Sequence, residues 1–231
     1  ILSARRTALL EVVKSQCQEP ENVVVLPLDL EKITSMQAVT IRAIDAFGRV
    51  DMLINNGGIS QRSAIIDTDI SVDRKIIEID YLGTIALTKA LLPHFVTQNK
   101  GHFVVVSSLM GKFSSPLRSA YCGAKHALHG FFDALRLEHV NDHVKVTMVC
   151  PGFVNTNVAR NALTGDGSKQ GHQDSMTEKG LDVTVFTTRM IKAIKKEKFE
   201  VYIGQFETLG VYVKRMSLRL LHHLILRTKV R

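Results

Sequence analysis

The strongest constraint in this chain is an alternation: short, near-continuous apolar runs rich in β-branched residues recur between longer amphipathic stretches. Such runs suit strands covered on both faces, and strands separated by helix-length segments predict βαβ crossovers and a mostly parallel α/β sheet. The runs are Val23-Val24-Val25-Leu26, Val50-Asp51-Met52-Leu53-Ile54, Phe103-Val104-Val105-Val106, Val144-Lys145-Val146-Thr147-Met148-Val149 and Glu200-Val201-Tyr202-Ile203. The opening Ile1-Leu2-Ser3-Ala4 reads as the end of another strand. Between them, the stretch 33–47 predicts a helix closed by Gly48, and Ser71 is expected to cap a long helix that runs to the neighbourhood of Pro93. The segment 155–180, with Gly165, Gly167 and Gly171 among polar residues, predicts a long flexible excursion of the kind that is usually functional.

Composition narrows the class. With 231 residues, 45% hydrophobic and 23% charged, the chain has the balance of a globular protein with a substantial core. The net charge of +8 hints at nucleic acid or anionic membrane, but its distribution argues against the former. Lys214, Arg215, Arg219, Arg227, Lys229 and Arg231 follow the last acidic residue, Glu207, and leave 24 basic against 22 acidic residues in 1–213. A near-neutral body without a clustered basic face, and without Trp, excludes nucleic acid as the expected partner. Cys17, Cys122 and Cys150 have neither the C-x-x-C nor the His spacing of a metal site, so no metal is expected, and a reducing, cytoplasmic compartment fits them. No apolar run has the length of a membrane span, and the N-terminus as it stands shows no signal-peptide core.

Tyr121 and Lys125 stand four apart at the start of a predicted helix and share a face, with Ser108 just beyond a buried strand. An ammonium beside a phenol favours the phenolate, so Tyr121 would exchange a proton with a substrate oxygen that Ser108 holds. Tyr-x-x-x-Lys alone is common on helices; its surroundings decide. Asn55-Asn56-Gly57-Gly58, Ser107-Ser108, Tyr121-Cys122-Gly123-Ala124-Lys125 and Pro151-Gly152-Phe153-Val154-Asn155-Thr156 follow successive strand ends, where open α/β sheets bind ligands. Together, in this order, they resemble the short-chain dehydrogenase/reductase family over nearly the whole chain. Two longer stretches, 55–63 and 162–168, are similar to the dehydrogenase/reductase member 7 and 7B group and its bacterial relatives.

That resemblance implies a Rossmann-type doubly wound sheet in three α/β/α layers, with Tyr121 as general acid/base, Lys125 holding the nicotinamide ribose and Ser108 positioning the carbonyl or alcohol. It places Asp29 and Leu30 near the adenine, Asn55 and Gly57 along the ribose, and Pro151, Gly152, Val154 and Thr156 around the nicotinamide. Arg5 stands where the family separates NADP from NAD, and a cation there suits a 2′-phosphate, so NADPH is expected ahead of NADH. Asp80 occupies a position where the family usually has an Asn that holds a water near the catalytic Lys. A carboxylate there would stabilise the Lys125 ammonium.

The family's first strand and glycine-rich phosphate turn have no counterpart, since no G-x-x-x-G-x-G occurs. That strand is central in the order 3-2-1-4-5-6, so its absence would leave two buried edges unpaired. The expectation is a fragment of an active enzyme, with a short inactive fold acting through dimer or membrane contacts as the alternative.

Residues 1–208 read as one nucleotide-binding domain and 209–231 as a basic amphipathic helix, which would lie on an anionic membrane or pack on the body at the substrate mouth or against a partner subunit. The expected activity is interconversion of a carbonyl and a secondary alcohol on an apolar, steroid-, retinoid- or lipid-like substrate. Phe153, Val158 and Leu163 would cover that substrate, and the resemblance implies a homodimer or homotetramer. No G-x-S-x-G elbow supports a hydrolase.

Overall fold

The computed structural model describes residues 1–227; Lys229 and Arg231, counted above in the basic C-terminal segment, lie outside the described residues. Four strands, β1 (Met52–Asn55), β2 (Gly101–Val106), β3 (Val144–Pro151) and β4 (Glu200–Ile203), form a parallel sheet in the order β1-β2-β3-β4. The register pairs Leu53 with Phe103, Phe103 with Val146 and Met148 with Glu200. Helices fill the crossovers: α1 (Thr7–Ser15), α2 (Met36–Phe47), α3 (Ile70–Ile77), α4 (Thr84–Thr97), α5 (Ser119–Glu138), the short α6 (Ser175–Glu178), α7 (Val183–Lys195), and a C-terminal pair α8 (Leu209–Met216) and α9 (Leu218–Arg227).

Strand alternation sorts the core into two layers. Phe103 and Val105 of β2, with Val146 and Met148 of β3, pack against Phe95 of α4 and Phe132 of α5, while Val104 and Val149 face Phe186 and Ile194 of α7. The sheet is therefore covered on both faces, as its apolar runs predict. Gly101 opens β2 because there is no room for more: a Cβ there would lie 2.1 Å from the Phe95 ring.

Three expectations are corrected. The runs 1–4 and 23–26 form a single parallel bridge, Leu2 with Val25, rather than two strands of the main sheet. Leu2 N donates to Val24 O and Leu26 N to Leu2 O, but a cleft of about 870 Å³, bordered by Ile1, Leu26, Met52 and Ile54, separates this pair from β1. Met52 and Ile54 are 40% and 45% exposed on that edge, so the ladder is interrupted where the strand order requires a central strand. Asp69, not Ser71, caps α3: its Oδ1 accepts from Ser71 N at 2.7 Å, and its backbone is extended as a cap requires. The helical path then continues through a wide π-type turn, Glu78–Gly83, into α4, which holds Pro93.

The third correction concerns 155–180, which is fastened rather than free. Leu163 N donates to Ser60 O and Arg62 N to Leu163 O, while Asn155 and Leu181 tie the segment's base together. The described part of the C-terminal amphipathic stretch, 209–227, is two helices meeting at the extended Ser217, and Val211 and Leu221 pack on Leu109, Phe113 and Cys150 of the body.

Gly101→Ala is expected to lower stability by about 1–3 kcal/mol through overpacking against Phe95. Equal denaturant midpoints for the two proteins would show that the aromatic layer gives way at this position.

Candidate active site

The C-terminal end of β2 delivers Ser107 and Ser108 to the top of the sheet, and a short 3-10 turn, Leu109–Gly111, follows at once. Ser108 caps that turn: its Oγ accepts from Met110 N at 3.1 Å. Gly111 lets the turn lie close on α5, because a Cβ would come 2.8 Å from Lys125 O and 2.7 Å from Ser107 Oγ. Ser108 and Tyr121 thereby line the same pocket, of about 500 Å³.

Lys125, one turn along α5, is buried, and its Nζ lies 5.6 Å from the Tyr121 ring centroid. It donates to Val106 O at 3.4 Å and stands 3.4 Å from Asp80 Oδ2, an ion-pair contact. Asp80 is wholly buried in the π-type turn, whose widened path turns the carboxylate inward. Its Oδ1 accepts from Ile59 N at 2.7 Å, and Gly58 permits that approach, since a Cβ there would sit 3.1 Å from Asp80 Oδ2. Burial pulls the Asp80 carboxyl above the usual carboxylate range, against the opposing effect of the Lys125 charge. Burial works against the Lys125 ammonium too, but the negative charges of Asp80 and Tyr121 outweigh it and raise the Lys125 pKa.

The other predicted residues divide between two openings. Pro151, Gly152, Phe153, Val154 and Val158 line the pocket with Ser108 and Tyr121, while Arg5, Asp29, Leu30, Asn55 and Gly57 line the larger cleft. Close approaches shape that cleft: a Cβ on Gly83 would fall 2.3 Å from Leu30 O, and Asn55 Nδ2 donates to Thr88 Oγ1 at 3.1 Å. Asp29 also serves its own turn, accepting from Glu31 N.

Two predicted contacts fall elsewhere. Leu163 is buried among Val72, Ile76, Ala120 and Ala124 and faces the core, because its backbone is bridged to Gln61. Thr156 is exposed in a turn, where its Oγ1 accepts from Val158 N at 3.4 Å.

The sequence reading missed Arg62, Arg118 and Asp174. Arg62 donates from Nε to Asp174 Oδ2 at 2.7 Å, Arg118 Nη2 lies 3.5 Å from the same oxygen, and both arginines line the pocket. Nothing in the local sequence marks them, since the partners lie 112 and 56 residues apart. Glu207 was missed as well: its Oε1 accepts from Phe153 N at 3.0 Å and Gln205 N at 3.1 Å, bracing the loop after β3.

The sequence pattern of the short chain dehydrogenase family matches residues 1–166. The rat dehydrogenase/reductase SDR family member 7B is 43% identical over 197 residues, 85% of this chain and 61% of its own length. The human dehydrogenase/reductase SDR family member 7 is 46% identical over 175 residues, 73% of this chain and 52% of its own. The chain thus spans about half to two thirds of these two relatives. Among solved structures, a short-chain dehydrogenase from Streptomyces avermitilis superposes with a TM-score of 0.82 at 26% identity, over 94% of this chain and 83% of its own. A short chain dehydrogenase/reductase from Burkholderia phymatum, solved with NAD, shares the fold with a TM-score of 0.76 at 19% identity, over 92% of this chain and 81% of its own.

Asp174 carries two buried guanidinium groups, so Asp174→Ala is expected to destabilise the protein by about 3–5 kcal/mol and to expose 155–180 to proteases. Burial pushes the Asp174 pKa up, but the hydrogen bonds from Arg62 and Gln170 and the two charges win and hold it low. The stabilisation is accordingly present above the ordinary Asp range and lost as pH falls through the folded-state value. Thermal melts across acidic pH check this: parent and variant should converge as pH drops.

Proposed function

Because the chain belongs to the short-chain dehydrogenase family, we propose that it acts as an NADPH-dependent oxidoreductase interconverting a carbonyl and a secondary alcohol on an apolar substrate. The observation that carries this reading is the joint placement of Ser108 and Tyr121 on one largely apolar pocket, with the buried Lys125 ammonium beneath the Tyr121 ring.

The residues present fit a dinucleotide at its two ends. Arg5, Asp29, Leu30, Asn55 and Gly57 would hold the adenosine side, and Pro151, Gly152 and Val154 the nicotinamide side beside Lys125. When bound, the nicotinamide supplies or takes the hydride. Arg5 favours the 2′-phosphate form, since it keeps its side chain 60% exposed and is held only by a 3.9 Å contact with Glu31.

This chain's own groups handle the proton and the substrate oxygen. Ser108 Oγ spends an acceptor site on Met110 N and keeps its hydrogen to donate to a carbonyl oxygen in the pocket. Tyr121 gives its phenolic proton to that oxygen in reduction and takes it back in oxidation. The phenolate left behind faces the Lys125 charge, in a site that burial makes sensitive to each nearby ion. Phe113, Phe153, Val213 and Leu221 supply the apolar walls that keep water from the reacting atoms.

Among the described residues, no helix is long and apolar enough to cross a membrane. Contact with a membrane surface is supported by α9, where Leu218, Leu220 and Leu226 are exposed beside Arg219, while Leu221, Leu224, Ile225 and Arg227 line the pocket. An apolar substrate would then enter from the lipid side.

Tyr121→Phe is expected to cut turnover about a hundred- to ten-thousandfold while NADPH still binds; unchanged turnover overturns the acid/base role. Arg5→Ala should narrow the preference for NADPH over NADH by about tenfold. Asp80 raises the pKa of the buried Lys125 ammonium, so Asp80→Asn should lower it and displace the pH–rate profile. Superimposable profiles would refute that coupling. Flotation with anionic vesicles is expected to carry the protein, and Leu220→Glu with Leu226→Glu to abolish it.

A further inference from the structure

The Arg62–Asp174–Arg118 cluster holds more positive charge than its anchoring duty requires. One buried Arg–Asp pair is enough to fasten 155–180, and Arg62 provides it: Nε and Nη2 engage Asp174 Oδ2, while Nη1 donates to Ser60 Oγ and Gln61 O. The second carboxylate oxygen, Oδ1, accepts from Gln170 Nε2 at 2.8 Å. Arg118 is left with the remainder. Its side chain is only 6% exposed, yet its five N–H donors find a 3.0 Å bond to Ser115 Oγ, a 3.4 Å bond to Pro116 O and the 3.5 Å contact with Asp174.

Two buried guanidinium groups against one carboxylate leave one uncompensated positive charge on the wall of the pocket that holds Ser108 and Tyr121. A buried charge without a partner is strongly unfavourable, so a site of this kind is completed by an anion. The acidic residue that lines the pocket, Glu207, has an oxygen committed to Phe153 N and Gln205 N. Burial and the charge of Arg62 draw the Arg118 pKa down to about 10, which still leaves it a cation at neutral pH.

We propose that Arg118 is a substrate-binding residue that pairs with a carboxylate on the substrate, so that the preferred substrate is an apolar oxo or hydroxy acid rather than a neutral ketone or alcohol. Asp174 is a positioning residue: it holds the Arg118 fork at the pocket wall, and Arg62 in turn holds Asp174. The apolar walls take the hydrocarbon part and Ser108 and Tyr121 take the reacting oxygen, so the inference rests on the function proposed above and adds the charge of the substrate to it.

The test uses a series of straight-chain oxo fatty acids, differing in ketone position, and their methyl esters, as substrates for the NADPH-loaded full chain. The best acid is expected to exceed its ester in kcat/KM by about tenfold or more, through KM. Arg118→Gln should erase that ratio by raising KM for the acid while leaving the ester within about threefold. Arg118→Lys, which keeps the charge and loses the fork, should retain part of the preference and shows whether Arg118→Gln has merely misfolded. Calorimetry with dodecanoate and methyl dodecanoate reads the same preference without turnover. Esters reduced as well as acids, or a fall of both substrates together in a folded Arg118→Gln protein, overturns the carboxylate assignment and leaves the oxidoreductase reading standing. Selective dodecanoate binding with no reduction of any ketone overturns the oxidoreductase reading while the carboxylate site survives.

Discussion

The buried pair of Asp80 and Lys125 is the contact on which the rest of the site depends. Neither charge is tolerable alone at such burial, so each fixes the element that carries the other. Asp80 needs the wide turn between α3 and α4 to face inward and uses its second oxygen to hold Ile59 N, which sets the loop after β1. Lys125 needs α5 to run under the end of β2 and uses Val106 O to hold itself there. Three sheet-end segments are therefore aligned by one ion pair, and Tyr121, a turn ahead of Lys125, is aimed by the same helix.

Behind that pair lies a second polar layer that fixes how α5 sits on the sheet. Ser107 Oγ donates to Lys125 O and lies 3.1 Å from His129 Nε2, and His129 Nδ1 stands 3.4 Å from Glu200 Oε2 on β4. Lys112 and Tyr202 close on Glu200, whose pKa falls to about 2 because their hydrogen bonds, with that of His129, overcome the effect of burial. Burial pushes Cys150 up to about 12, so at neutral pH it stays a thiol and serves as packing beside His129. An apolar helix face could slide by a turn at little cost; a helix keyed by Ser107, His129 and Glu200 cannot, and the Ser108–Tyr121 spacing inherits that precision.

What the sequence made legible follows the range of the interactions involved. β2 and β3 could be read because each is covered on both faces and so declares itself by a near-continuous apolar run, and Gly48, at φ +74°, could be read as a helix stop because only its own backbone is at issue. Helix periodicity put Tyr121 and Lys125 on one face and Ser108 at a strand end, and only the resemblance to the family singled them out as a site. The runs 1–4 and 23–26 misled because a strand needs a neighbour, and the cleft beside β1 leaves theirs unpaired on that side. Leu163 misled because apolar character does not say which way a loop residue points. Asp174 with its two arginines was invisible: the charges of Arg62 and Arg118 become a site only when the chain brings 155–180 back over α5.

The division of labour across the molecule has a physical reason. The groups proposed to react stand just past β2 and on α5, which are locked by the aromatic layer of Phe95, Phe103 and Phe132 and by buried charge, so their geometry is set by parts that cannot relax independently. The pocket walls come instead from the loop after β3, the 155–180 segment and the helices α8 and α9. These join the body through few polar ties: Glu207 to Phe153 N, Asp174 to Arg62, and Lys214 to the carbonyl of Lys112. Changing a wall residue alters what fits without disturbing the Ser108–Tyr121–Lys125 arrangement, whereas changing a tie moves a whole wall. On the function proposed above, substrate choice is thus a property of the ties and walls, and proton transfer a property of the sheet end and the buried pair beneath it.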